Sequence, residues 1–237
     1  MEVRRGLLTC AGGLVVLLAV LGVGVVGWAA AGLGAVVLAV AADRRASVDD
    51  VARLGPADAV TLARATLACG VLGLVAEAAT GVGVVERLVP LAAVALALDL
   101  VDGKVARRTG TVSPFGARLD GESDAFLILV LSVHVARDVG AWVLALGLVR
   151  YAYAGVAALV PWMQRTLPPR YWRKVVAAYV GITLAVAASG VPPATATGAA
   201  LVLAAALLAE SFGWDVVWLW RTRRLAVDAP VASRTQA

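Results

Sequence analysis

Six stretches of this chain, near 59–79, 84–105, 116–136, 139–161, 174–191 and 195–213, are almost unbroken runs rich in Ala, Leu, Val and Gly. A helix needs about 20 apolar residues to cross a hydrocarbon core of about 30 Å, and these runs are of that order. Polar residues, Gly or Pro bound them, as at Thr80-Gly81, Gly110, Pro168-Pro169 and Pro192-Pro193. Membrane β-strands would alternate apolar and polar residues over short segments, and these runs do not. Composition points the same way: of 237 residues 61% are hydrophobic and 16% charged, against about 25% charged in an ordinary soluble domain. A water-soluble globular enzyme is excluded, and two cysteines are too few for a disulfide framework. The expected class is all-α, a polytopic integral-membrane helical bundle.

Residues 6–42 form a further apolar run, too long for one helix, with a weak break at Gly27-Trp28 and Gly32. A secretory signal is one reading, since Arg4 and Arg5 lead into it and Ala29-Ala30-Ala31 resembles a cleavage site. Charge favours another. Arg4-Arg5 precede the run and Arg44-Arg45 follow it, so the positive-inside rule puts both ends in the cytoplasm. That requires a two-helix hairpin and eight spans in all. The expected organisation is a transmembrane hairpin (1–42), a juxtamembrane segment (43–58), a six-helix core (59–220) and a cytoplasmic tail (221–237). Residues 43–58 are too polar to span and read equally as an amphipathic surface helix or a plain linker.

With this topology, every Lys and Arg except Arg64, Arg87, Arg137 and Arg150 falls in a loop assigned to the cytoplasm. Trp162, Trp172, Trp214, Trp218 and Trp220 cluster near the cytoplasmic ends, where an aromatic belt belongs. The formal charge of +5 is accounted for without nucleic acid. Cys10 and Cys69 read as intramembrane packing residues.

The acids are more informative. Asp99 and Asp102 lie three apart where one apolar helix ends, and Asp120 and Asp124 lie four apart where the next begins. Both spacings keep a pair on one helical face. The short connection makes the helices antiparallel neighbours, so four carboxylates converge at the inner membrane boundary. Each Asp at mid-membrane costs roughly 2.5–3.5 kcal/mol, less near the interface. Gathered anions repel, and Asp99 and Asp102 face the unfavourable end of a helix dipole. Bound cations answer all three objections. An all-oxygen site suits Mg²⁺ or Mn²⁺ rather than zinc, and two ions about 3.5–4 Å apart suit displacement at phosphorus. Solvated helix-end carboxylates, the ordinary alternative, account for Glu122 but not for four Asp interleaved with Gly103, Ala106, Arg107 and Gly116. Glycine permits close approach, and arginine offers a fork for phosphate oxygens.

The string D-x-x-D-G-x-x-A-R-x8-G-x-x-x-D-x-x-x-D, from Asp99 to Asp124, resembles the signature of the CDP-alcohol phosphotransferase (CDP-alcohol phosphatidyltransferase) family, with all eight fixed positions present. The family core is six membrane helices, with the signature on the second and third; the N-terminal hairpin lies outside the resemblance. The resemblance implies transfer of a phosphoryl-alcohol group from a CDP-alcohol, usually CDP-diacylglycerol, to a hydroxyl acceptor with release of CMP, in phospholipid synthesis. It implies that Asp99, Asp102 and Asp120 hold the metals, and that Asp124 completes the site and acts as general base. Gly103, Arg107 and Ser113 would contact the cytidine diphosphate, with Ala106 and Gly116 giving clearance. It also implies a homodimer.

Ahead of the signature, Asp58, Thr61 and Arg64 resemble the family's N-x-x-T-x-x-R segment at the start of its first helix, with Asp58 replacing the usual Asn. Asp58 and Thr61 join the expected donor contacts. Arg64 reads about equally as a ligand contact or a snorkelling side chain. Arg150, inside a predicted span, and Arg118, within the signature, are the candidates for an acceptor such as a polyol phosphate. The expected site is a multi-pass one on the cytoplasmic side of the plasma membrane. The rival class is a divalent-cation or proton carrier, because intramembrane Asp clusters also mark ion pathways; a carrier would place its acids nearer the midplane and show an internal repeat.

Overall fold

The computed structural model describes residues 3–48, 54–109, 114–168 and 170–223, with no side-chain description for residues 4, 45, 48, 100–109 and 114. The described residues form α1 (Val3–Val20), α2 (Val25–Val48), α3 (Pro56–Ala78), α4 (Val85–Thr109), α5 (Pro114–Val139), α6 (Leu144–Leu159), α7 (Tyr171–Ala188) and α8 (Ala194–Thr222). Short 3₁₀ turns precede and follow α6, at Ala141–Val143 and Pro161–Gln164. The described residues contain no strand, and the protein is a polytopic helical membrane protein.

Among the described residues, four segments combine the length and hydropathy of a membrane span: Val25–Arg44, Pro56–Ala78, Ala141–Leu159 and Ala194–Thr222. The apolar part of α1 is shorter, Arg5–Val20. The rest of the bundle is more polar for a chemical reason. α4 and α5 carry the acids and basic residues of the signature, and α7 opens on Arg173 and Lys174. Outward faces are apolar, as at Leu33, Val36, Ile182 and Val202, which are all more than half exposed. The interior is apolar too: Leu18, Leu74, Leu88, Leu131, Leu184 and Leu201 are almost wholly buried in one core. With hydrocarbon outside as well as in, close packing and hydrogen bonding select the arrangement.

α3 is the centre of the bundle, touching α1, α2, α4 and α5. Its crossing with α2 depends on small residues. A Cβ on Gly27 would lie 2.7 Å from the Gly73 carbonyl oxygen, and one on Gly73 would lie 3.0 Å from the Gly27 carbonyl oxygen and 3.3 Å from the Ala31 Cβ. At the far end from the signature, Glu77 of α3 accepts hydrogen bonds from the backbone N–H groups of Gly24 (3.1 Å) and Gly27 (3.3 Å). Those donors begin α2 and have no partner within it, and a carboxylate there also complements the helix dipole. Arg87 donates to the Leu21 carbonyl at 2.6 Å. Gly22, with φ +59, makes the intervening turn in a conformation that glycine adopts freely. At the opposite end a second apolar cluster, including Val3, Ala46, Leu54, Phe115 and Leu119, closes the hairpin onto α3 and α5. Gly73→Leu should force α2 and α3 apart, and overpacking of this kind costs about 1–3 kcal/mol. The expected outcome is a lower thermal unfolding midpoint in detergent; an unchanged midpoint would show that the crossing tolerates bulk.

Two boundaries differ from the sequence expectation. The polar residues Asp43–Ser47 continue α2, whose helix runs to Val48, so the hairpin's second helix extends through the first part of the segment read as juxtamembrane; residues 49–53 lie outside the described residues. α4 continues to Thr109, ten residues past Asp99 and about 15 Å of helix. Asp99 therefore sits well inside its helix. The dipole penalty expected for it does not apply, because that effect fades within the last turn.

Candidate active site

α3, α4 and α5 build the site. α3 starts with Pro56 at its first position, where a missing N–H costs nothing. Asp58, 4% exposed, accepts the Gly55 N–H at 2.8 Å and so helps to begin the helix. Thr61, also buried, donates its hydroxyl proton to the Ala57 carbonyl at 3.2 Å. Three residues later on the same face comes Arg64, 2% exposed.

Arg64 is the feature the sequence left undecided. Its Nε donates to the carbonyl of Ala95 on α4 at 3.3 Å. Its Nη1 lies 3.2 Å from Asp99 Oδ1 and pairs with Asp120, while its Nη2 pairs with Asp124. One guanidinium thus reaches all three described carboxylates of the signature. A buried arginine away from partners would be prohibitively costly. Here the fork is filled, and the planar donors hold α3 against α4 and α5. The clue in the sequence was an arginine eight residues into an apolar helix; which helix it would face was not legible there.

Asp99, Asp120 and Asp124 each offer a carboxylate oxygen, and these oxygens all lie within 4.8 Å of one another. The three side chains are 32%, 21% and 28% exposed, so the cluster is sheltered yet open to a ligand. Within this foursome one positive charge faces three negative ones. The donor set is hard and all-oxygen, the chemistry that suits Mg²⁺ or Mn²⁺. The residues fit a divalent cation, with Arg64 occupying oxygens that a metal would also use.

Asp102, Gly103, Ala106 and Arg107 lie on the last turns of α4, with side chains outside the described residues, and Ser113 lies outside altogether. Gly116 is partly buried just after Phe115, a fully buried side chain that anchors the start of α5. Arg118 is exposed on the next part of the same helix. Arg150, on α6, lies across α5: its Nη2 is 3.4 Å from Glu122 Oε1, and a Cβ on Gly121 would come within 3.0 Å of it. It therefore flanks the acidic helix beside Asp120 and Asp124 without entering the carboxylate cluster. Nothing in the sequence pairs it with Glu122, because contacts between residues 28 apart follow from packing alone.

The sequence model for CDP-alcohol phosphatidyltransferases matches residues 54–220. Neither the curated proteins nor the solved structures give a match to the chain. The matched segment begins just before α3 and ends near the end of α8, leaving the hairpin outside it. It contains every carboxylate of the cluster and covers well over half of the sequence, so the chain belongs to the CDP-alcohol phosphatidyltransferase family.

Proposed function

We propose that the protein transfers a phosphatidyl group from CDP-diacylglycerol to a hydroxyl acceptor, with a polyol phosphate as the leading candidate, and releases CMP. The observation that carries this reading is the convergence of Asp99, Asp120 and Asp124 from two antiparallel helices in a chain of this family. The acceptor oxygen attacks the phosphorus that bears the diacylglycerol, and the bond from that phosphorus to the oxygen of CMP breaks. Asp124 takes the acceptor's proton, which is needed because hydroxyl groups are barely ionised near neutral pH. Asp99, Asp102, Asp120 and Asp124 would hold Mg²⁺ or Mn²⁺, two ions in this reading. When bound, the metal supplies charge neutralisation at the diphosphate.

Gly103, Ala106, Arg107, Ser113 and Gly116 are assigned to the cytidine diphosphate, with Asp58 and Thr61 nearby in sequence to Arg64. Arg150 and Arg118 are assigned to the acceptor's phosphate, as cations flanking the helix that carries the base. The site is assigned to the cytoplasmic face of the plasma membrane on the distribution of Lys and Arg, and the working unit is a homodimer.

The test is CMP release by purified protein with radiolabelled CDP-diacylglycerol, Mn²⁺ and a panel of alcohols. Release should require one acceptor, vanish on chelation with EDTA and return with Mn²⁺ or Mg²⁺. Absence of metal-dependent release with every acceptor would overturn the assignment. An Arg150→Ala variant should raise KM for a phosphorylated acceptor while leaving KM for the donor unchanged.

A further inference from the structure

α1 and α2 touch each other little, although both lean on α3. Between them lies an apolar slot of about 170 Å³. α3 forms its floor through Leu62, Ala65, Thr66 and Cys69; Cys10 of α1 and Ala39 of α2 are among its sides. The Thr66 hydroxyl, the one side-chain oxygen in the lining, already donates to the Leu62 carbonyl at 3.0 Å. Nothing in the wall asks for water. An apolar cavity of about 150 Å³ stays dry and takes up benzene, so a slot of this size accommodates a stretch of hydrocarbon.

Its setting identifies the hydrocarbon. The slot lies among the apolar parts of α1 and α2, and Val36, which forms part of its wall, is 61% exposed on the lateral surface. That surface belongs to the bilayer, whose acyl chains are the solvent there. On α3 the slot-lining residues lie nearly opposite Arg64 around the helix. α3 thus stands between most of the slot and the carboxylates, with Leu119 of α5, the residue before Asp120, closing one side, and the occupant in this proposal is a lipid other than the donor. We propose that the slot is a binding site for one acyl chain of a bilayer phospholipid, which fills the space between the hairpin's legs and packs against the back of the helix that carries Arg64. The site is made largely by helices outside the family-matched segment, and it does not depend on which alcohol the enzyme accepts.

The test uses the full-length protein in phosphatidylglycerol vesicles doped with a phospholipid carrying a diazirine midway along one acyl chain. After irradiation and peptide mapping by mass spectrometry, adducts should be several-fold denser on Cys10, Ala39 and Cys69 than on Leu203, an exposed residue of α8. Ala39→Phe, which fills the slot, should reduce slot adducts to the α8 level. As a measurement free of mutation, native mass spectrometry of delipidated wild type should show one retained phospholipid. Equal adduct density on slot and α8, or no retained lipid, would overturn the proposal. Displacement of slot adducts by CDP-diacylglycerol would overturn it as well, by making the occupant the donor.

Discussion

Arg64→Gln should lower the thermal unfolding midpoint in metal-free detergent solution further than Gly73→Leu does. The guanidinium reaches Asp99, Asp120 and Asp124 and also the Ala95 carbonyl. Glutamine removes the charge and leaves sheltered carboxylates facing one another. Breaking a buried ion pair from one side costs about 3–5 kcal/mol. The carboxylates here are a fifth to a third exposed, which screens them, so the lower end, about 3 kcal/mol, is expected. Arg64→Lys should recover part of the loss, because it restores the charge without the planar fork.

The same substitution should change the response to metal. A divalent cation held by the cluster would compete with Arg64 for carboxylate oxygens in wild type; in Arg64→Gln it would not. Mn²⁺ should therefore raise the unfolding midpoint of the variant by more than it raises that of wild type, through preferential binding to the folded state. Equal metal-free midpoints, together with equal Mn²⁺ shifts, would show that Arg64 neither neutralises the cluster nor shares its oxygens.

Asp124→Asn should reduce kcat for CMP release by roughly 10²–10⁴-fold, the contribution typical of a positioned general base. The two side chains have nearly the same shape, and the amide oxygen can still accept from Arg64, so the thermal midpoint serves as the control for folding. A base acts after both substrates are bound, and the loss should fall on kcat with KM for the acceptor little changed. Loss expressed only as weaker donor binding would remove the base role and leave Asp124 a binding group. Turnover equal to wild type would remove it from the chemistry altogether.

How much of the molecule is legible in its sequence depends on the range of the interaction. The pairs Asp99/Asp102 and Asp120/Asp124 follow from helical periodicity and need only the chain's local order. Their meeting follows from the short connection between α4 and α5, which forces antiparallel neighbours. The depth of Asp99 does not, because hydropathy falls at Lys104, Arg107 and Arg108 while the helix continues to Thr109. Charge ends an apolar run without ending the backbone hydrogen bonding. Likewise Asp43 to Ser47 stay helical at the end of α2.

Fold class and helical bundle were thus determined by the sequence alone, because bilayer thickness fixes how long an apolar run must be, and helical geometry fixed which acids share a face. Only the tertiary structure decided what lies against those faces. Arg64 met its three carboxylates across 35 to 60 residues, Arg150 met Glu122, and the Gly27–Gly73 crossing set how α2 rests on α3. In a bilayer, apolar faces all look alike to hydrocarbon. The choice of neighbour rests on small residues that permit close approach and on buried charges that need partners, and neither has a period in the sequence.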